Sequence, residues 1–358
     1  MANPLARDLD HILYHTAHVW PELRDQRIFI TGGTGFFGCW LLESFAWAND
    51  KLNLNAQAVA LTRNAARFRS KAPHLAAHPA IRLHAGDVRD FDFPSGGFSH
   101  VIHAATESAS GLNERDPLAM IETIVDGTRR VLEFAVVCGA RDFLLTSSGA
   151  VYGQQPPDIA RVPENYPGAP ETVNARSAYA EGKRIAELLC SVYNQRSGLN
   201  AKIARCFAFV GPYLPLDAHF AIGNFIGDCL GGQSIEIRGD GTAYRGYLYA
   251  ADLAIWLWTI LARGKSLRPY NVGSEEAISI KDLAFTVREM LAGMQPVRIA
   301  GTPRQGVPAE RYVAETARAR NELGLEERIS LKEGIRRTAE WHCGADKAEL
   351  LASREAHA

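Results

Sequence analysis

A tyrosine and a lysine four residues apart, Tyr179 and Lys183, are the side chains of this sequence best suited to moving a proton. They open the amphipathic stretch YAEGKRIAELLCSVYNQ at 179–195, so both lie on one face of a predicted helix. A phenol with a pKa near 10 is a poor base at neutral pH. An ammonium about 4 Å away, at an effective dielectric constant near 20, favours the phenolate by about 4 kcal/mol, or up to ~3 pKa units before desolvation. We therefore expect Tyr179 to act as a general acid and base near neutrality.

A glycine-rich turn, ITGGTGFFG at 30–38, could hold a phosphate. Its glycines fit two patterns, Gly-x-Gly-x-x-Gly counted from Gly33 and Gly-x-x-Gly-x-x-Gly counted from Gly32. The turn follows an apolar strand and precedes an amphipathic helix, which is where the pyrophosphate of a dinucleotide meets a helix N-terminus. The sequence therefore predicts a dinucleotide-binding loop.

The elements that must position these residues alternate between short apolar runs and helical periods. Strands are predicted at RIFIT (27–31), QAVALT (57–62), IRLHAGD (81–87), HVIHAA (100–105), FLLTSS (143–148) and AKIARCF (201–207), and helices at 36–48, 117–139 and 179–195. This alternation predicts a doubly wound, parallel Rossmann sheet of the α/β class. We expect a helical extension at 1–25, including ILYHTAHVWPEL on the outside, the dinucleotide-binding domain at 26–207, a smaller and interleaved substrate-binding lobe at 208–342, and a tail at 343–358.

Several motifs fall at the ends of these strands. They are Thr31-Gly32-x-x-Gly35-x-x-Gly38, Gly86-Asp87-Val88, His103-Ala104-Ala105, Ser147-Ser148-x-x-Val151-Tyr152-Gly153 and Tyr179-x-x-x-Lys183. Together they resemble the extended short-chain dehydrogenase/reductase superfamily, in particular its nucleotide-sugar epimerases and dehydratases, over residues 25–342. The resemblance favours the second of the two glycine patterns, because three glycines spaced in this way form the cofactor loop of that superfamily.

The resemblance implies a nicotinamide cofactor, a nucleotide-diphosphate sugar as substrate and no metal. It assigns catalysis to Ser148, Tyr179 and Lys183: Tyr179 exchanges a proton with a sugar oxygen while hydride moves, Ser148 binds that oxygen, and Lys183 holds the ribose. The implied cofactor-binding residues are Gly32, Gly35, Phe36, Phe37, Gly38, Arg63, Asp87, Val88, Ala104, Ala105, Tyr179 and Lys183. The implied substrate-binding residues are Ser148, Asn224, Arg245 and Arg311, although Arg245 could instead pair with Asp252. Ala208 stands where relatives usually carry a sugar-nucleotide-binding Asn.

The sequence lacks acidic residues at the two positions after Ser148, and this limits the reactions that we expect. Dehydratases of this family carry Asp-Glu directly after the Ser or Thr, and decarboxylases a Glu, whereas this chain has Gly149 and Ala150, which transfer no proton. Reduction of an NDP-4-keto-6-deoxyhexose and 4-epimerisation of an NDP-sugar both remain, since each needs only hydride and one proton. Reduction is the expected activity because the NADPH expected below suits a net reduction, with epimerisation as the alternative. Dehydration, decarboxylation and a non-catalytic NADP-sensing role are less favoured.

The predicted second strand ends without the carboxylate that usually binds the NAD ribose. It ends instead in Leu61-Thr62-Arg63-Asn64, and a guanidinium suits a 2′-phosphate. NADP is therefore the expected cofactor, with NAD as the alternative if Arg63 is only a solvated loop residue.

Composition limits the remaining partners. The 358 residues are 47% hydrophobic and carry a net charge of −1, which indicates a globular protein that binds neither nucleic acid nor a membrane surface. The six cysteines are scattered, and the N-terminus resembles neither a signal peptide nor an anchor, so we expect a cytoplasmic protein. The family resemblance also implies a homodimer packed through the Tyr179 helix, where AELLC would suit an interface.

Overall fold

The computed structural model describes residues 3–106, 110–218 and 220–343, with the side chains of all of these except 110 and 111. The helices are α1 (Ala6–His15), α2 (Phe36–Leu52), α3 (Ala65–Lys71), α4 (Pro73–Ala76), α5 (Ser110–Arg115), α6 (Pro117–Val137), α7 (Ala178–Ser197), α8 (Ala221–Leu230), α9 (Ala250–Arg263), α10 (Ile280–Met290), α11 (Ala317–Leu323) and α12 (Leu331–Cys343). The strands are β1 (Arg27–Thr31), β2 (Gln57–Thr62), β3 (Ile81–Ala85), β4 (His100–His103), β5 (Asp142–Ser148), β6 (Asn200–Cys206), β7 (Ala208–Val210), β8 (Ile235–Ile237), β9 (Tyr244–Arg245), β10 (Tyr247–Tyr249), β11 (Pro269–Val272), β12 (Ile278–Ser279), β13 (Val297–Ile299) and β14 (Arg311–Tyr312).

A parallel sheet forms the centre of the molecule. Within the described residues it contains seven strands in the order β11-β6-β5-β4-β1-β2-β3. The chain moves outwards from β1 through β2 to β3, then returns to β4 on the other side of β1. This reversal leaves a crevice between the carboxyl ends of β1 and β4, where ligands bind in doubly wound sheets. The predicted fold class is confirmed.

Two apolar layers bury the faces of the sheet. One cluster packs Ile28 and Ile30 of β1 against α2 and α9, and continues to the first helix of the chain. The other packs Phe29 of β1 against α6 and α7. Successive residues of β1 thus serve opposite layers, as the period of two in a strand requires.

The N-terminal segment differs from its prediction. The helix covers Ala6–His15 and the chain then turns, with a short 3₁₀ turn at Trp20–Leu23, instead of running as one helix through ILYHTAHVWPEL. The turn begins where the Thr16 hydroxyl hydrogen-bonds back to the Ile12 carbonyl, 2.5 Å away. Leu9, Ile12 and Trp20 are fully buried against the main core, so this segment is part of the packed body.

Short strands after residue 208 build the second lobe. Strand β9 lies between β12 and β14, strand β13 pairs with β8, and β10 pairs with β7. Between these pieces the chain returns to the central sheet as β11. Residues 344–358 of the expected tail lie outside the described residues, and the domain boundaries stay predictions.

No helix in the described part of the chain is long and apolar enough to cross a membrane. Cys39, Cys138, Cys190, Cys206 and Cys229 carry free thiols.

Candidate active site

The glycine turn lies at the crevice between β1 and β4. Gly32 has a φ of +69°, and a Cβ there would stand 2.4 Å from the Ala104 carbonyl oxygen. A Cβ at Gly38 would stand 2.2 Å from the Gly32 carbonyl oxygen, inside the turn itself. These two glycines are therefore required for the close approach of β1, β4 and α2.

Gly35 is the glycine of this turn that an added Cβ would crowd least. It is exposed and precedes the first residue of α2, and the near neighbour of a Cβ there would be the Gly32 carbonyl oxygen, 3.3 Å away. The backbone N–H groups of the following turn, beginning at Phe36 and Phe37, form the positive end of a helix of 17 residues. The exposed side of the turn thus lies where a diphosphate would bind.

Buried hydrogen bonds fix the floor of the crevice. His103 joins the Thr31 hydroxyl, at 2.7 Å, to the Thr128 hydroxyl of α6, at 3.1 Å. Burial lowers the pKa of His103 to about 3, so the ring is neutral. The Thr31 hydroxyl also accepts the Ala105 N–H, at 3.2 Å, and this holds Ala104 and Ala105 beside the glycine turn.

Ser148 and Tyr179 meet at the carboxyl end of β5. Ser148 is the last residue of that strand, and its hydroxyl accepts the Ala150 N–H at 3.1 Å. Tyr179 lies in the first turn of α7, where its backbone N–H donates to the Asn113 side chain at 3.0 Å. The structure therefore brings together the serine and the phenol that the sequence predicted as partners.

Lys183 lies one turn further along α7 and is buried, with 3% of its surface exposed. Its ammonium donates to the Thr106 hydroxyl at 2.7 Å and to the Thr146 carbonyl at 2.8 Å. Burial lowers the pKa of this amine to about 8. The Lys183 ammonium stands 5.9 Å from the centre of the Tyr179 ring.

The prediction that Lys183 lowers the pKa of Tyr179 toward neutrality is wrong for the protein without ligands. Burial raises the pKa of the Tyr179 phenol, and the effect that opposes this rise is a hydrogen bond with the Ser148 side chain. The Lys183 ammonium donates two hydrogen bonds, to Thr106 and Thr146, and the described contacts include none from it to the Tyr179 hydroxyl. The structure therefore assigns the main acidifying contact to Ser148.

Next to Ser148 the space for a larger side chain is filled. A Cβ at Gly149 would lie 2.7 Å from the Phe207 ring, so the residue at this position must be small while Phe207 stays in place. Ala150 carries no ionisable group. At the two positions after Ser148 the site thus offers no proton donor.

The far end of the crevice carries the residues expected at the adenosine. Arg63 follows β2, and its charge helps to stabilise the Asp87 carboxylate beyond β3. Burial tends to raise the pKa of Asp87. Hydrogen bonds donated by Arg89, including one from its guanidinium at 2.8 Å, nevertheless bring that pKa below its ordinary value. Val88 is buried and would touch any side chain at Gly127 of α6.

The expected substrate residues come from the second lobe. Arg245 on β9 donates to the Tyr244 carbonyl at 2.8 Å and lies 3.8 Å from Glu310. It does not pair with Asp252 in the described contacts, because the Asp252 carboxylate accepts the N–H groups of Arg328 and Ile329.

The other two expected substrate residues are also half-buried. The Arg311 guanidinium stands 4.5 Å over the Tyr244 ring, and Asn224 lies in α8 with its backbone in the first turn. Their roles toward a substrate stay predictions.

The sequence reasoning missed Thr106 and Tyr312. Thr106 follows Ala105 directly, and its hydroxyl accepts a hydrogen bond from the Lys183 ammonium. Tyr312 follows Arg311 on β14 and places its hydroxyl 3.4 Å from that of Ser148. The sequence signal that could have identified them was a polar side chain directly beside an assigned residue. The contacts themselves could not be read from the sequence, because Thr106 and Lys183 are 77 residues apart and Ser148 and Tyr312 are 164 residues apart.

Comparison with known proteins identifies the class that this fold and crevice indicate. Residues 28–273 match the model of the NAD dependent epimerase/dehydratase family. The chain belongs to this family, and the predicted resemblance is confirmed. UDP-glucuronic acid decarboxylase 6 of Arabidopsis thaliana is 30% identical over 317 residues, which are 87% of this chain and 87% of the relative.

Solved structures agree in fold. DesIV, a dTDP-glucose 4,6-dehydratase from Streptomyces venezuelae with NAD bound, is 26% identical, with a TM-score of 0.76, covering 88% of this chain and 97% of that chain. The UDP-glucose 4-epimerase of Thermus thermophilus in complex with NAD is 25% identical, with a TM-score of 0.74 and coverages of 89% and 99%. These relatives catalyse three different reactions, so the family alone leaves the reaction of this chain open.

Proposed function

We propose that the protein is an NADPH-dependent reductase of nucleotide-diphosphate 4-keto-6-deoxyhexoses. The relatives named above act on nucleotide sugars according to their names, and the crevice between β1 and β4 matches the place where a dinucleotide binds. When bound, the nicotinamide supplies hydride to the C4 carbon of the sugar. The residues of the chain then have to bind, orient and protonate the substrate.

Each residue of the proposed site has a role that its position allows. Tyr179 donates a proton to the oxygen at C4 as the ketone becomes an alcohol. Ser148, at the end of β5, hydrogen-bonds the same oxygen. Lys183 holds the ribose of the cofactor in place of the Thr106 hydroxyl that it binds without ligands.

One observation carries the choice of reduction over elimination. The two residues after Ser148 are Gly149 and Ala150, and the Phe207 ring occupies the space that a side chain at 149 would need. A dehydration needs a second acid and base near the sugar, whereas a reduction needs hydride and one proton. Tyr179 supplies that proton.

NADP is the proposed form of the cofactor because of the charges around the adenosine end of the crevice. Arg63 follows β2 and Arg89 lies beyond β3, while Thr62 ends β2 without a carboxylate. A guanidinium binds a 2′-phosphate well, and a carboxylate at that position would repel it.

Cofactor stoichiometry tests the proposed reaction. Purified protein is mixed with NADPH and dTDP-4-keto-6-deoxyglucose, NADPH oxidation is followed at 340 nm, and the sugar product is identified by NMR. We expect one NADPH consumed per sugar reduced. Interconversion of UDP-glucose and UDP-galactose without net NADPH consumption would show an epimerase instead.

Tyr179→Phe tests the assignment of the acid. We expect turnover to fall by about 10² to 10⁴-fold, because that is the usual contribution of a positioned general acid, with the fold unchanged by circular dichroism. Tyr193→Phe removes a phenol from the same helix away from the crevice and should keep wild-type activity. Activity that survives in Tyr179→Phe would contradict the assignment.

The proposed compartment is the cytoplasm, on the basis of the free thiols of Cys39, Cys138, Cys190, Cys206 and Cys229. A homodimer through α6 and α7 is part of the proposal, because both helices carry exposed apolar side chains. They are Leu118, Val136, Val137, Ile185, Leu188 and Val192.

A further inference from the structure

One guanidinium lies behind the strand end that carries Ser148. It belongs to Arg205 of β6, whose backbone pairs in register with Ser147 of β5 and whose side chain is 15% exposed. Arg205 forks onto the Glu187 carboxylate of α7, with its Nε 2.9 Å from one oxygen and a terminal nitrogen 2.6 Å from the other. Its other terminal nitrogen donates to the Tyr152 hydroxyl at 2.9 Å. The guanidinium thus joins β6, α7 and the turn that follows β5.

Glu187 extends this contact to β5 itself. Its carboxylate also accepts the Ser147 hydroxyl, at 2.6 Å, and its side chain is 12% exposed. Tyr179, Lys183 and Glu187 are spaced four residues apart on α7, so they share one face of that helix. The Glu187 contact therefore docks the face that carries the proposed proton donor onto β5, directly before Ser148.

A second set of contacts holds the turn after Ser148. Ser148 is the last residue of the ladder between β5 and β6, so side chains must fix the turn beyond it. Tyr152, at the end of that turn, is 3% exposed and donates its hydroxyl to the Asn271 side chain of β11 at 2.7 Å. Burial raises the pKa of this phenol to about 12, so it keeps the proton that it donates, while its oxygen accepts from Arg205.

We propose that Arg205 is a positioning residue for Ser148, acting through Glu187 on one side and Tyr152 on the other. One planar fork fixes the residue before Ser148 and the turn after it against the same strand. A bidentate guanidinium–carboxylate pair adds geometric precision as well as energy. The inference rests on the proposed role of Ser148 at the oxygen of C4, where a misplacement of about 1 Å can cost up to about a hundredfold in rate.

The test releases each side separately by removing one neutral hydroxyl. Substitution of Arg205 itself would leave the Glu187 carboxylate without its partner, and breaking a buried ion pair in this way strongly destabilises a protein. Ser147→Ala instead removes only the hydroxyl that Glu187 accepts. Tyr152→Phe keeps the ring and removes the hydroxyl that contacts Arg205.

Hydrogen exchange measured by mass spectrometry reports on the segment without turnover. In peptides that cover residues 147–153, Ser147→Ala and Tyr152→Phe should each speed exchange about three- to tenfold, the size of one lost hydrogen bond. Peptides from β1 report general destabilisation and should change less. Tyr249→Phe is the matched control, because this buried phenol of β10 also donates to a side chain at 2.7 Å, and it should leave the 147–153 peptides unchanged.

Turnover supplies a readout that a merely structural role would not move selectively. With NADPH and dTDP-4-keto-6-deoxyglucose, Ser147→Ala and Tyr152→Phe should each lower kcat about tenfold and leave the KM of the sugar within about twofold. The NADPH dissociation constant should also stay unchanged, because the glycine turn is untouched. Tyr249→Phe should keep the wild-type kcat.

The inference is overturned if exchange in residues 147–153 stays within about twofold of the wild type in either variant, or if it rises equally in β1. Faster exchange with an unchanged kcat would also overturn it. Absent NADPH oxidation by the wild-type protein would instead contradict the proposed reduction. In that case the exchange measurement alone decides whether these contacts hold the segment that carries Ser148.

Discussion

At the scale of single residues, the site balances burial against hydrogen bonding. Lys183 is buried and Tyr179 is half-buried, and loss of hydration disfavours the charged form of each. A neutral phenol is the form that donates a proton to a ketone. The free protein thus holds Tyr179 in the form that a reduction requires, and the reverse reaction depends on whatever stabilises the phenolate.

Lys183 gives a prediction for stability against pH. Its pKa is about 8 in the folded protein and 10.5 ordinarily, so below about pH 8 the folded protein bears the full cost of burying the charge. Between these values the folded state releases the proton first, and stability rises with pH by about 1.4 kcal/mol per pH unit. Urea denaturation at pH 7, 8, 9 and 10 should show this rise in wild-type protein relative to Lys183→Met. Parallel curves for the two proteins would contradict the assignment.

Arg63 gives a prediction for cofactor choice. If its guanidinium binds the 2′-phosphate, Arg63→Ala should weaken NADPH binding by about ten- to a hundredfold and leave NADH binding unchanged. Fluorescence titration with each cofactor measures both constants. Arg129→Ala, which removes an exposed guanidinium from α6, is the control. An equal loss for the two cofactors would argue against phosphate recognition.

At the scale of elements, the turn between β1 and α2 holds glycines in two kinds of environment. Gly32 has a positive φ and backbone atoms within 2.4 Å of an added Cβ, whereas Gly35 has an ordinary φ of −80° and a Cβ there would approach the Gly32 carbonyl oxygen at 3.3 Å. Gly32 is therefore required for the packing of the turn. We propose that Gly35 allows the cofactor diphosphate to approach.

Alanine substitutions should separate these purposes. Gly32→Ala should destabilise the fold by about 2 to 4 kcal/mol, through strain at positive φ and a backbone clash. Gly35→Ala should change stability by less than about 1 kcal/mol but weaken NADPH binding at least tenfold, because the methyl group enters the space left for the diphosphate. Chemical denaturation and NADPH titration measure the two effects. Similar stability losses for both variants would refute the distinction.

At the scale of the whole molecule, two neighbouring helices carry exposed apolar side chains. Leu188 on α7 is 62% exposed and Val137 on α6 is 72% exposed, in helices that pack against each other beside the sheet. Burial of such side chains against a partner is favourable, so these helices are the proposed interface. A second copy of the chain is the proposed occupant.

Leu188→Glu should dissociate that dimer. Burying a leucine contributes about 1.5 to 3 kcal/mol, and a carboxylate in its place must be desolvated, so the dimer dissociation constant should rise more than tenfold. Light scattering coupled to size exclusion measures the mass. Met294→Glu, at a residue 96% exposed beyond α10, is the control and should leave the mass unchanged. Elution of the wild-type protein as a monomer would contradict the proposed dimer.

Local patterns were sufficient for much of the fold. Alternating apolar runs predicted strands β1 to β6 within a few residues, because a buried parallel strand needs a continuous apolar stretch. The glycine turn and the Tyr179 helix were predicted for similar reasons, since each depends on residues close together in the chain. The N-terminal helix was misplaced: it begins at Ala6 and ends at His15, and it packs against α2 and α9, which the local sequence pattern does not specify.

Only the tertiary structure decided which groups set the chemistry of the site. The sequence by itself determined the sheet, its glycine turn and the placement of Tyr179 and Lys183 one turn apart on the same helix. It could not place Tyr312 beside Ser148 or direct the Lys183 ammonium to Thr106, because these contacts join segments brought together by the return of the chain across the sheet. The acidity of a buried group depends on the burial and hydrogen bonds that such contacts create, and these exist only in the folded molecule.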